Sequence, residues 1–489
     1  MPTTSRRPRF VLDLPLRLES AAGNQARQVH ASLRSAILGG QLGAGLRLPS
    51  SRALAGQLGV GRNAVVVAYE HLDADGLVEA RQGAGTYVAA CLPARPQAPG
   101  AAPRVAGAPS QRACALGCTE IDLALLRRVG SAVRRRIAGA DPADLGYGDP
   151  RGSEALRRQI AAHLAASRGI VCDPACIVVV SGVQQGLRLC AEALLARGDA
   201  IWFEDPGYPA ACRTLRAAGL DLVPVPVDGE GIDVAAGRAG AAQARAAYVT
   251  PSNQFPTGVT MSMARRLALL EWARAAQAWV LEDDYDNEFR YEGPPLTALA
   301  GIDGGDRVIY LGTFSKTLFA GLRLAYLVLP PAAVERVVAM RAVHDRFPPS
   351  LAERAVADLM ADGTLAAHTR RMRKRYRAGR DALAGALAQE AVGLLRIVVP
   401  PQGLHLLAHL PDGLPPDTAA RIRDEAGIEA RIVSEMRLTA ATPDGFVLGF
   451  AGHPEAALRA AAADLAAAAR AVLGVHGGRD RPRRSGRGS

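Results

Sequence analysis

Apolar residues keep two different rhythms along this chain. In "NQARQVHASLRSAILGGQL", Val29, Leu33, Ile37 and Leu38 recur at helical spacing, and Gly39-Gly40 stops the helix. Ser50 or Ser51 can then cap a short helix carrying Leu54 and Leu58, which Gly59 ends in a tight turn. A second helix from about Arg62 sets Val65, Val66 and Tyr69 on its inner side. Two short helices joined by a glycine turn make a helix-turn-helix. "GLVEARQGAGTYV" continues as two strands around a glycine-rich turn, a wing.

Farther on, the rhythm becomes short apolar runs between amphipathic stretches. Residues 176–180 (CIVVV), 200–203 (AIWF), 246–250 (AAYVT), 278–282 (AWVLE), 307–311 (RVIYL) and 324–329 (LAYLVL) read as buried strands. Helical stretches such as "GVQQGLRLCAEALLAR" and "MSMARRLALLEWARAAQ" separate the earlier ones. This alternation predicts an α/β domain with a mainly parallel sheet, whose ligands sit beyond strand ends. The two regions are divided by residues 91–114, rich in Pro, Ala and Gly and without period, an extended linker. The expected organisation is a domain at 1–90, the linker, a domain at 115–475 and a disordered basic tail at 476–489.

Composition fits that division. A chain of 489 residues exceeds one ordinary domain, and 49% hydrophobic residues allow a large core. No apolar run is long enough to span a bilayer, and the basic N-terminus, interrupted by Asp13 and Pro15, does not read as a signal peptide. Seven irregularly spaced cysteines without zinc-ligand histidines read as free thiols in a reducing cytoplasm, with no metal. Residues 1–90 hold ten arginines against six acidic residues, a net of +4 that suits nucleic acid.

The cationic side chains also point to chemistry. Of 58 lysines and arginines only Lys316 and Lys374 are lysines, and only a lysine can lose its proton and act as an amine nucleophile. Lys316 lies in "TFSKTLFAGLR", after a strand, with Thr313, Ser315 and Arg323. Three further clusters also follow strands: "SGVQQG", where the free amides of Val183 and Gln184 can cradle a phosphate; "EDPGY", ending in the flat ring of Tyr208; and "EDDYDNEF", where Asp283 and Tyr285 are two apart. Together they meet the needs of pyridoxal phosphate: a lysine for a Schiff base, a carboxylate beside the pyridine nitrogen, phosphate donors and a stacking ring.

With these motifs in view, the chain resembles the MocR/GabR-type subfamily of GntR-like transcription regulators. Its members join a winged helix-turn-helix to a fold-type I aminotransferase-like domain with a small C-terminal subdomain. The resemblance runs from about residue 25 to 475. "RLPSSRALAGQLGVGRNAVVVAYEHLDADG" is similar to the DNA reader, and "YGDPRGSEALRRQIAAHLAASRGI", "TPSNQFPTGVTMSMARR", "LEDDYDNEF" and "YLGTFSKTL" to the effector domain. It implies that Lys316 forms the Schiff base, Asp283 pairs with the pyridine nitrogen and Tyr285 bonds the ring oxygen. Tyr208 would stack on the ring. Thr313, Ser315, Arg323 and the amides of Val183 and Gln184 would take the phosphate. Tyr147, in "GYGDPRG", would reach the phosphate of a neighbouring subunit, which implies a homodimer.

Three departures stand out. Phe255 precedes Pro256-Thr257-Gly258 where aminotransferases usually carry asparagine, which removes a polar contact to the ring oxygen. The late stretch "TPDGFVLGFAG" has no arginine for a substrate carboxylate, leaving Arg431 and Arg437 as effector-binding candidates. Gly61 replaces the usual capping Ser or Thr of the reading helix, at a cost of a few tenths of a kcal/mol.

The expected function is a cytoplasmic, pyridoxal-phosphate-dependent regulator of transcription that senses an amino compound, or the cofactor itself, and binds double-stranded operator DNA. Ser51, Arg52, Arg62 and Asn63 are expected near DNA, with Arg81 and Gln82 of the wing at phosphates or the minor groove. The alternative is an active aminotransferase with an appended DNA-binding domain; transaminase activity, if any, is expected to be weak.

Overall fold

The structure, a computed structural model, describes residues 25–91, 112–140, 146–348, 351–439 and 444–474. Most of the expected linker and all of the expected basic tail lie outside the described residues. The chain divides into two compact units, Met1–Gly107 and Ala108–Ser489. No helix among the described residues is long and apolar enough to cross a membrane.

The first unit is built on helices Gln25–Leu38, Ser51–Leu58 and Arg62–Ala74. Val29, Leu33, Leu54, Val65 and Leu72 are fully buried in its core. Ser50 is the cap: its Oγ accepts from the Ala53 amide at 3.2 Å, so Ser51 is the first helical residue. Gly59, at φ 66°, ends that helix in the left-handed region where glycine has no steric cost. Val66, expected on the inner side of the third helix, is half-buried. At about 100° per residue, Ala68 and Leu72 rather than Val66 share the buried face with Val65. The wing pairs Val78–Arg81 (β1) antiparallel with Gly85–Val88 (β2). A third segment joins it: the Leu48 amide donates to Thr86 O and the Val88 amide to Leu46 O, both at 2.8 Å.

In the second unit the strands run Ile177–Val180 (β3), Ala200–Asp205 (β4), Asp221–Asp228 (β5), Gly231–Ile232 (β6), Ala246–Val249 (β7), Trp279–Asp283 (β8), Val308–Thr313 (β9) and Ala325–Val328 (β10). They form one sheet in the order β3-β10-β9-β8-β7-β4-β5-β6. β5, β4, β7, β8 and β9 are mutually parallel, whereas β10 is antiparallel to both its neighbours and β6 to β5. The apolar runs read as strands because both faces are covered. Ile177 and Val179 join the core on one face, Val178 and Val180 the core on the other. Trp202 and Trp272 stack at 3.6 Å on the first face, securing a helix against the sheet.

The long helix Thr364–Glu390 leads into a four-stranded antiparallel sheet: Arg396–Val398 (β11), His405–His409 (β12), Arg431–Ile432 (β13) and Gly445–Gly449 (β14). Its core includes Phe289, Tyr376, Leu406, Phe446 and Leu458. Cys114, assigned to the linker by sequence, is buried here, and its carbonyl accepts from the Gly449 amide at 3.0 Å. A buried backbone needs such pairing, so the residues at 112–114 are part of the packed unit.

Candidate functional site

Strand register gathers the expected residues at one edge of the large sheet. Ala325 of β10 faces Val180 of β3 on one side and Thr313 of β9 on the other. That row brings the turn Ser181–Gly182, Arg323 and Thr313–Ser315 together. The helix Val183–Leu194 starts there with Gly182 at its cap and no side-chain capping bond, so its first-turn amides are left for a ligand. The helix approaches the sheet closely because residue 186 is glycine: a Cβ there would lie 2.7 Å from Leu327 Cδ2. A Cβ on Gly182 would meet the Arg323 guanidinium at 3.2 Å. Val183, Gln184, Thr313, Ser315 and Arg323 thus cluster into a cradle suited to a dianion.

Lys316 follows that turn. Its Nζ donates to Gly117 O at 3.4 Å, and an added Cβ on Gly117, at φ 79°, would stand 3.2 Å from Nζ. Burial lowers the ammonium's pKa, opposed by the charges of Asp286, Cys118 and Asp283. The direction favours a free amine, as a nucleophile requires.

Asp283 ends β8 and is buried. Oδ2 accepts from the Tyr248 hydroxyl at 2.7 Å, while Oδ1 has no partner. Burial pushes this carboxyl up to about 7, against the Tyr248 bond and with the push of Asp284. An orphaned buried carboxylate oxygen is the feature a protonated pyridine nitrogen would satisfy. Nearby, the Tyr285 hydroxyl donates to Asn253 O at 3.2 Å and accepts from Asn253 Nδ2 at 3.1 Å. Asn253 Oδ1 is a second buried atom without a partner. Asn253 Nδ2 also donates to Asp286 Oδ2 at 2.8 Å, so Asn253 fixes the Tyr285 hydroxyl beside the place where residue 255 lacks an amide.

Phe255 fills an aromatic corner instead. Its ring meets Tyr208, Tyr285 and His405 edge-on, with centroids 5.5, 6.1 and 5.3 Å away. His405 is buried, and burial pushes its imidazole down to about 4, keeping it neutral. Burial raises the Tyr208 phenol, as does the charge of Asp283, while Arg431 on β13 acts the other way. Arg431 is exposed. Arg437 is half-buried beyond β13, in the field of Asp444 and Asp205. Tyr147 is 81% exposed, its ring against Phe347 at 6.0 Å and beneath Arg346 at 4.7 Å.

These observations fit pyridoxal phosphate from four sides: an amine, an unpaired carboxylate oxygen, an uncapped helix with an arginine beside it, and a ring hydroxyl. Sequence reasoning missed Tyr248, Asn253, Gly117 and His405. Only "SNQFPTG" carried a signal for one of them, an asparagine two places ahead of the expected position.

In the first unit, Arg62 and Asn63 are exposed in the first turn of their helix, which contains no acidic residue. Arg52 is exposed and Ser51 half-buried at the start of the preceding helix. Arg81 and Gln82 are exposed at the wing turn. Arg81 lies over the Tyr87 ring at 4.5 Å and 3.7 Å from Glu79, so its charge is partly engaged within the wing.

Comparison with known proteins agrees with both halves. Residues 25–88 match the family described as bacterial regulatory proteins, gntR family, and residues 115–465 match aminotransferase class I and II. The probable rhizopine catabolism regulatory protein MocR of Rhizobium meliloti is 35% identical over 445 residues, covering 87% of this chain and 90% of that protein. The HTH-type pyridoxine biosynthesis transcriptional regulator PdxR of Corynebacterium glutamicum is 32% identical over 92% of this chain and 97% of its own length. Among solved structures, the kynurenine aminotransferase of Pyrococcus horikoshii, crystallised with PMP, is 26% identical. Its TM-score is 0.66, over 71% of this chain and 88% of that one.

Proposed function

The chain belongs to the MocR-type regulators, a gntR-family DNA-binding domain joined to a class I and II aminotransferase domain with pyridoxal phosphate as cofactor, and from this premise we propose that it couples amine capture at Lys316 to its grip on operator DNA. Bound there, the cofactor supplies an aldehyde that amines attack and a ring that withdraws electrons. The chain's own residues do the rest. Lys316 holds the cofactor through its amine, and Asp283 keeps a proton on the ring nitrogen, its position fixed by Tyr248. Tyr285, its hydroxyl positioned by Asn253, holds the ring oxygen, Tyr208 covers the ring, and the cradle of Val183, Gln184, Thr313, Ser315 and Arg323 takes the phosphate. Arg431 or Arg437 would meet the carboxylate of an amino-acid effector. Tyr147, exposed as it is, would complete the phosphate site of a second copy in a homodimer. The protein would work in the cytoplasm.

The observation that carries this reading is the unpaired Oδ1 of Asp283 in a chain that also presents Arg62 and Asn63 on an uncapped helix end. Turnover as an aminotransferase is the weaker reading, because Phe255 and the unclamped late segment leave a bound amino acid poorly oriented. The test selects DNA fragments with the full-length, cofactor-loaded protein, then titrates amines while following operator affinity and keto-acid release. Amine-dependent affinity without multiple turnovers supports regulation. Sustained turnover with no DNA response refutes it.

A further inference from the structure

A second cavity, of about 570 Å³, shares Thr313 with the phosphate cradle, but Lys316, Asp283, Tyr285 and Tyr208 do not line it. It opens beside the helix Glu154–Arg168, the loop after β8 and the long helix Thr364–Glu390. Its apolar wall includes Leu296, Phe314, Tyr326, Met360 and Leu365. The size suits one small molecule.

The charge in it is unbalanced. Arg168 also lines the cavity, but Asp284 neutralises it at 2.8 Å. Arg290, Arg370 and Arg373 form no ion pair among the described residues. Against them stands one lining carboxylate, Glu288, 3.8 Å from His163. Two of the guanidiniums are held in place by neutral oxygens. Arg290 Nη1 donates to Gln402 Oε1 at 2.8 Å, and Arg373 Nε donates to Glu288 O at 2.7 Å. Arg290 Nε is buried with no acceptor. Arg290 and Arg373 are half-buried and Arg370 is exposed. A guanidinium partly withdrawn from water without a counter-charge carries a desolvation cost, and a planar oxyanion relieves it through two parallel bonds.

We propose that this cavity binds a small monocarboxylate with an apolar body. Its carboxylate would lie between Arg290 and Arg373, and its body against Phe314, Tyr326 and Leu365. Glu288 disfavours a dianion, so the carboxylate is preferred over a phosphate group. Thr313 and Thr317 also line the cavity and flank Lys316 by three residues and one, so the occupant would touch the turn that carries the cofactor lysine.

The test is calorimetric titration of full-length, cofactor-loaded protein with benzoate and, separately, inorganic phosphate. Arg290→Gln/Arg373→Gln removes the oxyanion site, and Leu365→Trp fills the cavity without altering charge. Arg377→Gln, on the same helix but outside the cavity, is the control. Retained cofactor absorbance shows that a variant is folded; if the double variant is not, Leu365→Trp decides alone. We expect one benzoate per chain, binding at least tenfold weaker in both variants, unchanged in the control, and phosphate weaker than benzoate. No heat with benzoate up to about 10 mM, a concentration corresponding to barely 3 kcal/mol of affinity, overturns the proposal. So does equal binding in wild type and variants, tighter binding of phosphate, or displacement of the cofactor by benzoate.

Discussion

The hydroxyl of Tyr248 bonds one oxygen of Asp283 at 2.7 Å, and the other oxygen is buried with no partner. Adjacent parallel strands create the pair: Tyr248 faces Leu281, and Asp283 lies two residues on, on the same side of β8. One bond fixes the carboxylate, and the empty oxygen marks where a cation is wanted.

That relationship predicts a trade between stability and function. In cofactor-free protein the folded carboxyl titrates near 7, above its ordinary value of 3.8. A raised folded pKa contributes stability fully present below about 4 and lost as pH climbs to 7. Asp283→Asn removes that dependence while keeping an acceptor for Tyr248. Cofactor-free Asp283→Asn should therefore outlast wild type in urea at pH 8 by a few kcal/mol, since each unit of pKa is about 1.4 kcal/mol. The gap should narrow steadily toward pH 4. It should also bind the cofactor more weakly. Equal urea midpoints at pH 8 would remove the case for a strained carboxylate.

Lys316→Ala and Lys316→Arg should both lose covalent attachment of the cofactor. Alanine has no amine, and a guanidinium stays protonated at neutral pH and cannot attack an aldehyde. Borohydride reduction followed by mass spectrometry reads this directly. A cofactor adduct of unchanged yield on either variant would assign the wrong residue.

Gly186→Ala tests how the phosphate cradle is held. The added methyl lies 2.7 Å from Leu327 Cδ2, so the helix Val183–Leu194 must lift from the sheet. Overpacking of this kind costs about 1–3 kcal/mol. Cofactor affinity should fall with stability, because the same helix presents the amides of Val183 and Gln184. Leu327→Ala in the Gly186→Ala background should recover part of both, as a double-mutant cycle would show.

Arg62→Ala should weaken operator binding and flatten the dependence of log affinity on log salt by about one unit if it meets a phosphate. Arg81→Ala should do less, because Tyr87 and Glu79 already engage its guanidinium. Unchanged affinity and slope in Arg62→Ala would move the DNA face to another helix.

Much of this was legible in sequence because the strands that position the site are apolar on both faces. Runs such as IVVV and VIYL have no other stable place, and the site residues follow them directly. β5 escaped notice because Pro224 and Pro226 punctuate it, and prolines demote a run to an edge. The short β13 and β11 carry too little pattern to be seen. Tyr248, Gly117 and His405 were hidden for another reason: each reaches the site from a segment 35 to 199 residues away from its partner there. Spacing along a chain does not reveal such meetings. The arginine-lined cavity was invisible likewise, since its residues come from five separate stretches.

The last prediction concerns which late arginine reads an amino-acid effector. Arg431 is exposed on the edge strand β13, and its charge reaches Tyr208, the ring expected to cover the cofactor. Arg437 is half-buried and lies in the field of Asp444 and Asp205. Asp205 is itself occupied by the Leu438 and Thr439 amides at 2.9 and 3.0 Å, so it anchors the segment carrying Arg437. Arg437 is thus committed to structure, whereas Arg431 can turn toward a ligand. A charge-assisted bond to a carboxylate contributes about 1.5–3 kcal/mol, or at least a tenfold change in affinity. Arg431→Gln should therefore raise the amino-acid concentration for half-maximal operator response about tenfold, and leave cofactor content and the response to a simple alkylamine unchanged. Arg437→Gln should lower thermal stability and shift both responses together. If Arg431→Gln weakens the alkylamine response equally, the residue acts on the cofactor site as a whole and not on a carboxylate.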